Sequence, residues 1–398
     1  MTIATLTGLG MGNAGIQYQG ISTFNINLGG PGNTIYLQGN PAITTTTINA
    51  PSGINDLSIG SKAPAEITES TNPLTLGQSQ NTGSVLDDVL GIINYNGSGS
   101  DSLNVDDSGS NIGVEAGLFS TQNQTSGVWD SELEFLSASS NYASSSVTIN
   151  FNGVGYMNIA LSQAASKFAV DNTYGFINPN SATAPVINLD GNTGNDTFLI
   201  FNTESVMNIN GGSGDDSFYN FGNSAVLNLN GDTGSDTFYV YASVLVNNQL
   251  TNVNTSTSGT NKVYSYRVNA AVNITGGTAG NNTLYIFGQP LNGVGTYYIS
   301  ASNVTGGGLD INFTNIQQLT VEGLGGDNTF YIISISTPTT IYGEGSIVLP
   351  SVGNFLTTLG ISLPNLTGGQ APPTQNNNTF YVGAAGAALT GSTYFPNI

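Results

Sequence analysis

Three stretches of this chain superimpose at a spacing of twenty residues: Gly191 to Leu199, Gly211 to Tyr219 and Gly231 to Tyr239. Two glycines, an aspartate and a phenylalanine return at fixed offsets. They are Gly191, Gly194, Asp196 and Phe198, then Gly211, Gly214, Asp216 and Phe218, then Gly231, Gly234, Asp236 and Phe238. So short a period restricts the fold severely. One repeat is too small to bury an apolar face by itself, so each copy must cover its neighbours.

Each glycine turn is flanked by two short alternating segments. Val186–Asp190, Val206–Asn210 and Val226–Asn230 precede the turns, and Thr197–Phe201, Ser217–Phe221 and Thr237–Tyr241 follow them. Apolar residues alternate with Asn, Thr or Ser, the period of a strand with one buried face. Twenty residues then close one coil, and the next coil stacks on it in parallel at about 4.8 Å. The reading is an all-β fold, an elongated parallel β-solenoid of β-helix or β-roll type, interrupted by irregular insertions.

The phrase after the turn recurs more loosely as Asn33-Thr34-Ile35-Tyr36, Asn282-Thr283-Leu284-Tyr285, Asn328-Thr329-Phe330-Tyr331 and Asn378-Thr379-Phe380-Tyr381. On this basis residues 1–60 form a degenerate β-repeat module. Residues 61–182 form a second, with a Ser- and Asn-rich insertion over 108–145 that holds the lone Trp129. Residues 183–245 are the regular array, and 246–345 a further module with a polar loop over 246–262. Residues 346–398 join an excursion rich in Pro and Gly (Pro350, Pro364, Pro372, Pro373) to a terminal β phrase.

The chain has 24 acidic and 4 basic residues and a net charge of −20. Lys62, Lys167, Lys262 and Arg267 are too few and too scattered for a nucleic-acid surface. Anionic lipid is disfavoured on the same ground. The 17 Phe and 18 Tyr argue against a disordered acidic chain. Without cysteine or histidine there are no disulfides or thiolate metal sites, and the commonest general base is missing. No apolar stretch is long enough to span a membrane. The first residues carry no signal-peptide pattern, so the expectation is that export uses another route or that this chain is a piece of a longer one.

Gly211–Tyr219 matches the calcium nonapeptide G-G-x-G-x-D-x-U-x at every specified position. Glycines permit positive φ and turn carbonyls inward, aspartate adds a hard anionic oxygen, and calcium takes six to eight such oxygens. Stacked one coil apart, Asp196, Asp216 and Asp236 repel by roughly 3–4 kcal/mol per neighbouring pair at an effective dielectric near 20. A cation between coils, or raised carboxylate pKa values, relieves this. Asp215, Asp190 and Asp232 add charge nearby. The candidate metal site therefore comprises Asp196, Asp215, Asp216 and Asp236 with the backbone of Gly191, Gly194, Gly211, Gly214, Gly231 and Gly234. Ordinary metal-free turn chemistry stands beside it. The second glycine is Asn192 in one copy and Asp232 in another, and Asn282 and Asn328 replace the aspartate elsewhere. The Asn188, Asn208 and Asn228 column reads as an amide ladder. The Tyr column reads as a stacked stripe, with a glycan platform as its functional alternative.

Leu6-Thr7-Gly8-Leu9-Gly10-Met11-Gly12, Ile16-Gln17-Tyr18-Gln19-Gly20-Ile21 and Asp101-Ser102-Leu103-Asn104-Val105-Asp106-Asp107-Ser108-Gly109 resemble phrases of very large repetitive bacterial surface proteins. In that group such phrases alternate with hemolysin-type (RTX) calcium-binding repeats, which Gly211–Tyr219 resembles. The resemblance implies secretion, calcium-dependent folding outside the cell, adhesive or matrix roles, and that this chain is part of a longer one. It carries calcium ligation only to Asp196, Asp216, Asp236 and their turns. This chain departs from the family in having one such turn per twenty residues.

The leading functional expectation is a non-catalytic, extracellular, calcium-stabilised structural or adhesive protein, with cell-surface glycans or other copies of itself as partners. A metal-independent filament, surface-layer or fibre subunit is the alternative. A polysaccharide-acting enzyme using Asp215 with Asp216, or Asp190 with a neighbour, is the third.

Overall fold

A computed structural model of the chain describes residues 4–6, 16–61, 83–122, 129–137, 146–171, 173, 186–246, 266–288, 295–324, 326–343, 366–367, 377–383 and 388–389. Most of the 346–375 excursion and the 246–262 loop lie outside these residues, as do Gly8–Gly12 of the first long phrase. The described residues are all β, without a helix, and most strands join one large, mainly parallel sheet. No helix among them is long and apolar enough to cross a membrane. The chain divides into two compact units, Met1–Phe168 with Asn172–Thr193, and Ala169–Asp171 with Gly194–Ile398.

In the first unit, β1 (Ala4–Leu6) and β2 (Ile16–Tyr18) form a separate antiparallel pair. Next come β3 (Thr23–Asn27), β4 (Thr34–Leu37), β5 (Thr45–Asn49) and β6 (Asp56–Ile59). β3 pairs with β5 and β4 with β6, both parallel. β7 (Ile92–Asp106) bends through Gly97–Ser100, so its first half continues β5 and its second half continues β6. β8 (Val114–Gln122) and β9 (Trp129–Ser137) form a hairpin whose second strand lies antiparallel on β10 (Ser146–Ala160). Residues 108–145, read above as an insertion, thus carry two regular strands. Alternation accounts for it: Val114, Ala116, Leu118, Leu133 and Phe135 are buried while Glu115, Glu132 and Glu134 interleave. β10 continues β7 in parallel, and after β11 (Lys167–Asp171), β12 (Val186–Asp190) continues β10.

The second unit repeats one plan. β13 (Thr197–Asn202), β14 (Val206–Asn210), β15 (Ser217–Asn220), β16 (Leu227–Asn230) and β17 (Thr237–Tyr241) alternate between two parallel ladders. One runs β13, β15, β17 with Phe198, Phe218 and Phe238 in register, and the other pairs Asn208 with Asn228. β18 (Ser243–Val246) and β19 (Tyr266–Arg267) belong to a small separate sheet. β20 (Val272–Thr275) and β21 (Thr283–Phe287) resume the two ladders. β22 (Thr296–Ile299), β23 (Asn303–Gly306) and β24 (Leu309–Thr314) form an antiparallel meander, with β24 also parallel to β20. β25 (Gln318–Glu322), β26 (Thr329–Ile332) and β27 (Thr339–Tyr342) follow, then β28 (Leu366–Thr367), β29 (Thr379–Val382) and β30 (Ala388–Leu389). β25 joins β21 to β27, and β26 joins β22 to β29.

The core is a set of identical contacts repeated. Phe198, Phe218 and Phe238 stack at 5.0 and 4.7 Å between ring centres, and Phe201, Phe221, Tyr241 and Phe287 form a second stack. All are buried. Each offset pair adds about 0.5–1.5 kcal/mol beyond the area it buries. In-register parallel stacking is what a strict residue period produces, because every side chain meets its own equivalent.

Candidate functional site

Asp196, Asp216 and Asp236 each stand two residues ahead of the phenylalanine that enters the core, and so share its inward face. Their exposures are 1%, 1% and 0%. Carboxylates buried this deeply need hydrogen-bond donors, and the turns supply some. The Asp196 backbone N–H donates to Asp216 Oδ1 at 2.8 Å, and the Asp216 N–H to Asp236 Oδ1 at 3.0 Å. The column runs past the three aligned repeats. The Asp236 N–H donates to Asn282 Oδ1 at 2.8 Å, and the Asn282 N–H to Gln317 Oε1 at 2.7 Å. Each turn N–H is capped by the side chain one repeat later. Sequence reasoning missed Gln317; its signal was its place directly before β25, the strand that continues β21.

The neighbouring residues lace the other way. The Asp215 N–H donates to Asn195 Oδ1 at 2.9 Å, the Ser235 N–H to Asp215 Oδ1 at 2.8 Å, and the Asn281 N–H to Ser235 Oγ at 3.2 Å. Here the earlier repeat supplies the acceptor. Two adjacent residues per turn therefore stitch successive repeats in opposite senses. Asp215 faces solvent and Asp216 the interior, and both carboxylates accept backbone N–H groups.

The glycine pattern follows from backbone geometry. At the second glycine position φ is 73° at Asn192, 93° at Gly212 and 67° at Asp232. This is left-handed territory, which Asn and Asp tolerate best after Gly. Those two replacements thus keep the turn. At Gly214 (φ 135°) an added Cβ would collide with the Gly194 carbonyl, so this position requires glycine.

The second side-chain atom separates Asp from Asn. Asn282 Nδ2 donates to the carbonyls of Gly276 and, at 3.3 Å, Asn315. Asn328 Nδ2 donates to Gly326 and Gly343 at 3.2 and 3.1 Å. Asp216 and Asp236 turn Oδ2 toward the first glycines of their turns, Gly211 and Gly231, where it is buried with no hydrogen-bond partner. Burial, more than any neighbour, raises Asp216 from 3.8 to about 7, with the charges of Asp236, Asp215 and Asp232 adding to it and the Asp196 N–H opposing. Burial likewise lifts Asp236 to about 6, with Asp215 and Asp232 adding and the Asp216 N–H opposing.

The first unit solves the same problem differently. The Asn33 N–H donates to Asn55 Oδ1 at 3.2 Å and the Asn55 N–H to Asp101 Oδ1 at 2.9 Å. Asp101, fully buried, also accepts the Tyr95 hydroxyl at 2.8 Å, the Ser98 N–H at 2.9 Å and the Ser98 hydroxyl at 3.0 Å. Burial and the Asp101 charge push the Tyr95 phenol far above its ordinary pKa. Tyr95→Phe is expected to cost about 1–2 kcal/mol, because it strips a donor from a buried carboxylate. Urea unfolding followed by circular dichroism measures it, and an unchanged midpoint would show that the hydroxyl contributes nothing.

The Asn column forms the expected amide ladder. Asn228 Nδ2 donates to Asn208 Oδ1 at 2.7 Å, Asn273 to Asn228 at 2.8 Å and Asn312 to Asn273 at 3.1 Å. In the first unit Asn188 Nδ2 donates to Asn158 Oδ1 at 2.9 Å. Tyr219, Tyr239 and Tyr285 stack at 4.5 and 5.1 Å with planes within 8°. Tyr298, Tyr331 and Tyr381 also stack, at 5.0 and 4.7 Å with planes within 11°. Ring faces within each stack are turned to one another, so the columns present ring edges and hydroxyls outward. A sugar stacked flat on a ring would have to seat at the end of a column.

For calcium, the carboxylates stand in single file instead of converging. Among the described residues no three acidic side chains come close enough together to hold a metal ion. The Oδ1 atoms of Asp215, Asp216 and Asp236 accept turn N–H groups. What fits a cation is the second oxygen of Asp216 and of Asp236, together with turn carbonyls. Comparison with protein-family models, curated proteins and solved structures gives no match. The chemistry of the site therefore rests on its own geometry.

Proposed function

We propose that this chain is a non-catalytic structural β-solenoid of about twenty residues per coil, working outside the cell as an adhesive or scaffolding surface. The observation that carries this is the fate of its acidic residues. Asp196, Asp216 and Asp236 lie in a repeated, buried column, and Asp215, Asp216 and Asp236 accept backbone N–H groups of adjacent repeats. A glycosidase needs two carboxyl groups facing one another across a cleft. Asp215 faces solvent and Asp216 the interior, and Asp190 Oδ1 accepts the Asn192 N–H of its own turn at 3.0 Å. Stitching, not catalysis, accounts for these groups. What the surface offers a glycan or another copy of itself is columns of Asn, Thr and Tyr edges.

Calcium stabilisation is carried as a second reading, favoured by the unpartnered Oδ2 of Asp216 and of Asp236. Those atoms, with the carbonyls of the Gly211–Gly214 and Gly231–Gly234 turns, would hold the ion, and it would supply the positive charge their burial lacks. Circular dichroism melts in excess chelator and then across a calcium titration test this. A melting temperature that climbs with calcium supports the metal-bound form, because a ligand held by the native state alone stabilises it by mass action. A chain equally folded and stable in chelator supports the metal-free stitched form. Failure to show cooperative β structure in either condition would overturn the solenoid itself.

A further inference from the structure

Two long strands of the first unit, β7 and β10, pass from one ladder to the other at the same corner. Register between them runs from Ile92 with Thr148 to Asn96 with Asn152 and resumes at Asp101 with Val154. Gly153 has no opposite number on β7, and β9 follows β10 only as far as Phe151. Gly153 is therefore a bulge, at a φ of 65°. An added Cβ there would collide with the Gly97 carbonyl, and one at Gly97 with the Gly153 carbonyl. The corner requires both glycines. The residue before each answers a different demand. Asn96 Nδ2 donates to Asn49 Oδ1 at 2.8 Å and Asn152 Nδ2 to Asn96 Oδ1 at 3.0 Å, in an exposed amide ladder that runs back to Asn27. Ladder and corner together impose the dipeptide Asn-Gly on two adjoining rungs.

We propose that Asn152 is a site of spontaneous deamidation, with Asn96 a slower one. The Gly153 nitrogen attacks Asn152 Cγ and gives its proton to water. An N–Cγ bond forms, the Cγ–Nδ2 bond breaks, and ammonia leaves with a proton taken from water. A second water opens the cyclic imide at either carbonyl, giving aspartate or isoaspartate. Glycine favours the attack because no Cβ hinders its nitrogen and its backbone turns freely. The fold then sorts the Asn-Gly pairs. The described residues hold Asn96-Gly97, Asn152-Gly153, Asn210-Gly211 and Asn230-Gly231, while Asn292-Gly293 lies outside them. Gly211 and Gly231 are buried, and their N–H groups donate to the Asn230 and Thr275 carbonyls of the next rung at 2.8 Å each. Neither nitrogen can turn onto the side chain before it without breaking a ladder. Gly153 is half-buried in its bulge, and among the described residues Asn152 is tied by one side-chain bond where Asn96 is tied on both sides. A small local opening suffices at 152, and such openings cost least where few contacts hold the backbone. In the product the ladder loses its last donor, and a new carboxylate faces Asn96 Oδ1, acceptor to acceptor. The isoaspartate form adds one backbone atom beside a residue that has no register partner to lose.

Ageing of the full chain tests this. The protein is held in warm, mildly alkaline buffer, with circular dichroism on each portion to show that it stays folded. Portions are digested with pepsin in acid, where the imide forms slowly, and mass spectrometry follows the gain of one mass unit at each Asn-Gly pair. Position 152 should convert about tenfold or more faster than positions 210 and 230, with position 96 between. In concentrated urea the four should react at similar rates, because the fold no longer sorts them. Asn152→Gln keeps an amide on the ladder but closes the larger ring slowly. That variant should stay unmodified at 152 while the other three pairs keep their order. A wild-type position 152 that stays intact in native buffer, or converts no faster than 210 and 230, would overturn the proposal. The same spread of rates in urea would overturn it too, since neighbouring sequence and not the corner would then set the order.

Discussion

Lowering the pH from about 8 to about 5 is expected to raise the melting temperature of this protein in chelator. Four buried carboxyl groups set the direction. Burial lifts Asp107 to about 7 and Asp171 to about 6, as it lifts Asp216 to about 7 and Asp236 to about 6. The ordinary value is 3.8. A carboxyl whose folded pKa is raised gives its full stabilisation below its unfolded pKa and loses it as pH climbs through the folded one. Between about 4 and 7 the native state holds more protons than the unfolded chain, so stability falls as pH rises. At about 1.4 kcal/mol per pKa unit, Asp107 alone accounts for on the order of 3–4 kcal/mol. Acid-labile proteins behave oppositely because their carboxylates are ion-paired. Here the one ion pair among the described residues is the exposed Lys167–Glu115 contact at 3.3 Å, which opposes the trend little. Relief of general repulsion in a chain of charge −20 acts in the same direction. High salt screens that repulsion but reaches buried groups less, so the trend should survive it. A calorimetric pH series at fixed high salt measures this, and maximal stability at neutral pH would contradict it.

The strand plan was legible because a fixed period ties every residue to its own copy. Once Phe198, Phe218 and Phe238 are aligned, the register of β13, β15 and β17 follows without further information. The Asn208–Asn228 ladder was legible for the same reason. What the turn residues do was harder to foresee. A glycine turn with a following Asp suits calcium, and it equally suits a side chain that caps the N–H of the neighbouring repeat. Both uses need positive φ, an inward oxygen and a short period. The replacements point to the cap: Asn282, Asn328 and Gln317 each keep an amide oxygen that accepts an N–H and none keeps a charge. Gln317 escaped notice because a longer side chain reaches the same N–H from a differently spaced rung. The β8–β9 hairpin escaped because Ser120 and Ser131 stand on its buried face while Phe119 and Leu136 stand among the glutamates on the other, which blurred the alternation of Val114, Ala116, Leu118, Leu133 and Phe135.

Asp216→Asn is expected to stabilise the protein in chelator at about pH 8, by on the order of 3 kcal/mol. The amide oxygen keeps the bond from the Asp196 N–H. Its Nδ2 occupies the place of the unpartnered Oδ2, and can donate to the turn carbonyls as Asn282 does to Gly276 and Asn315. The variant replaces a buried charge with a satisfied neutral group. Its advantage should shrink as pH falls and vanish near pH 4, where the wild-type carboxyl is itself protonated. That convergence separates the effect from a general gain in packing. Asp216→Ala provides the complementary measurement, since it removes charge and cap together. It should fall below Asp216→Asn by about 1–3 kcal/mol, the cost of stranding the Asp196 N–H in the interior. Calcium reverses the order if Oδ2 is a ligand. Wild type would then gain stability across the titration and Asp216→Asn would not, leaving the variant the weaker protein in calcium. Denaturant midpoints for the three proteins, at two pH values and with chelator or calcium, decide between a stitched column and a metallated one.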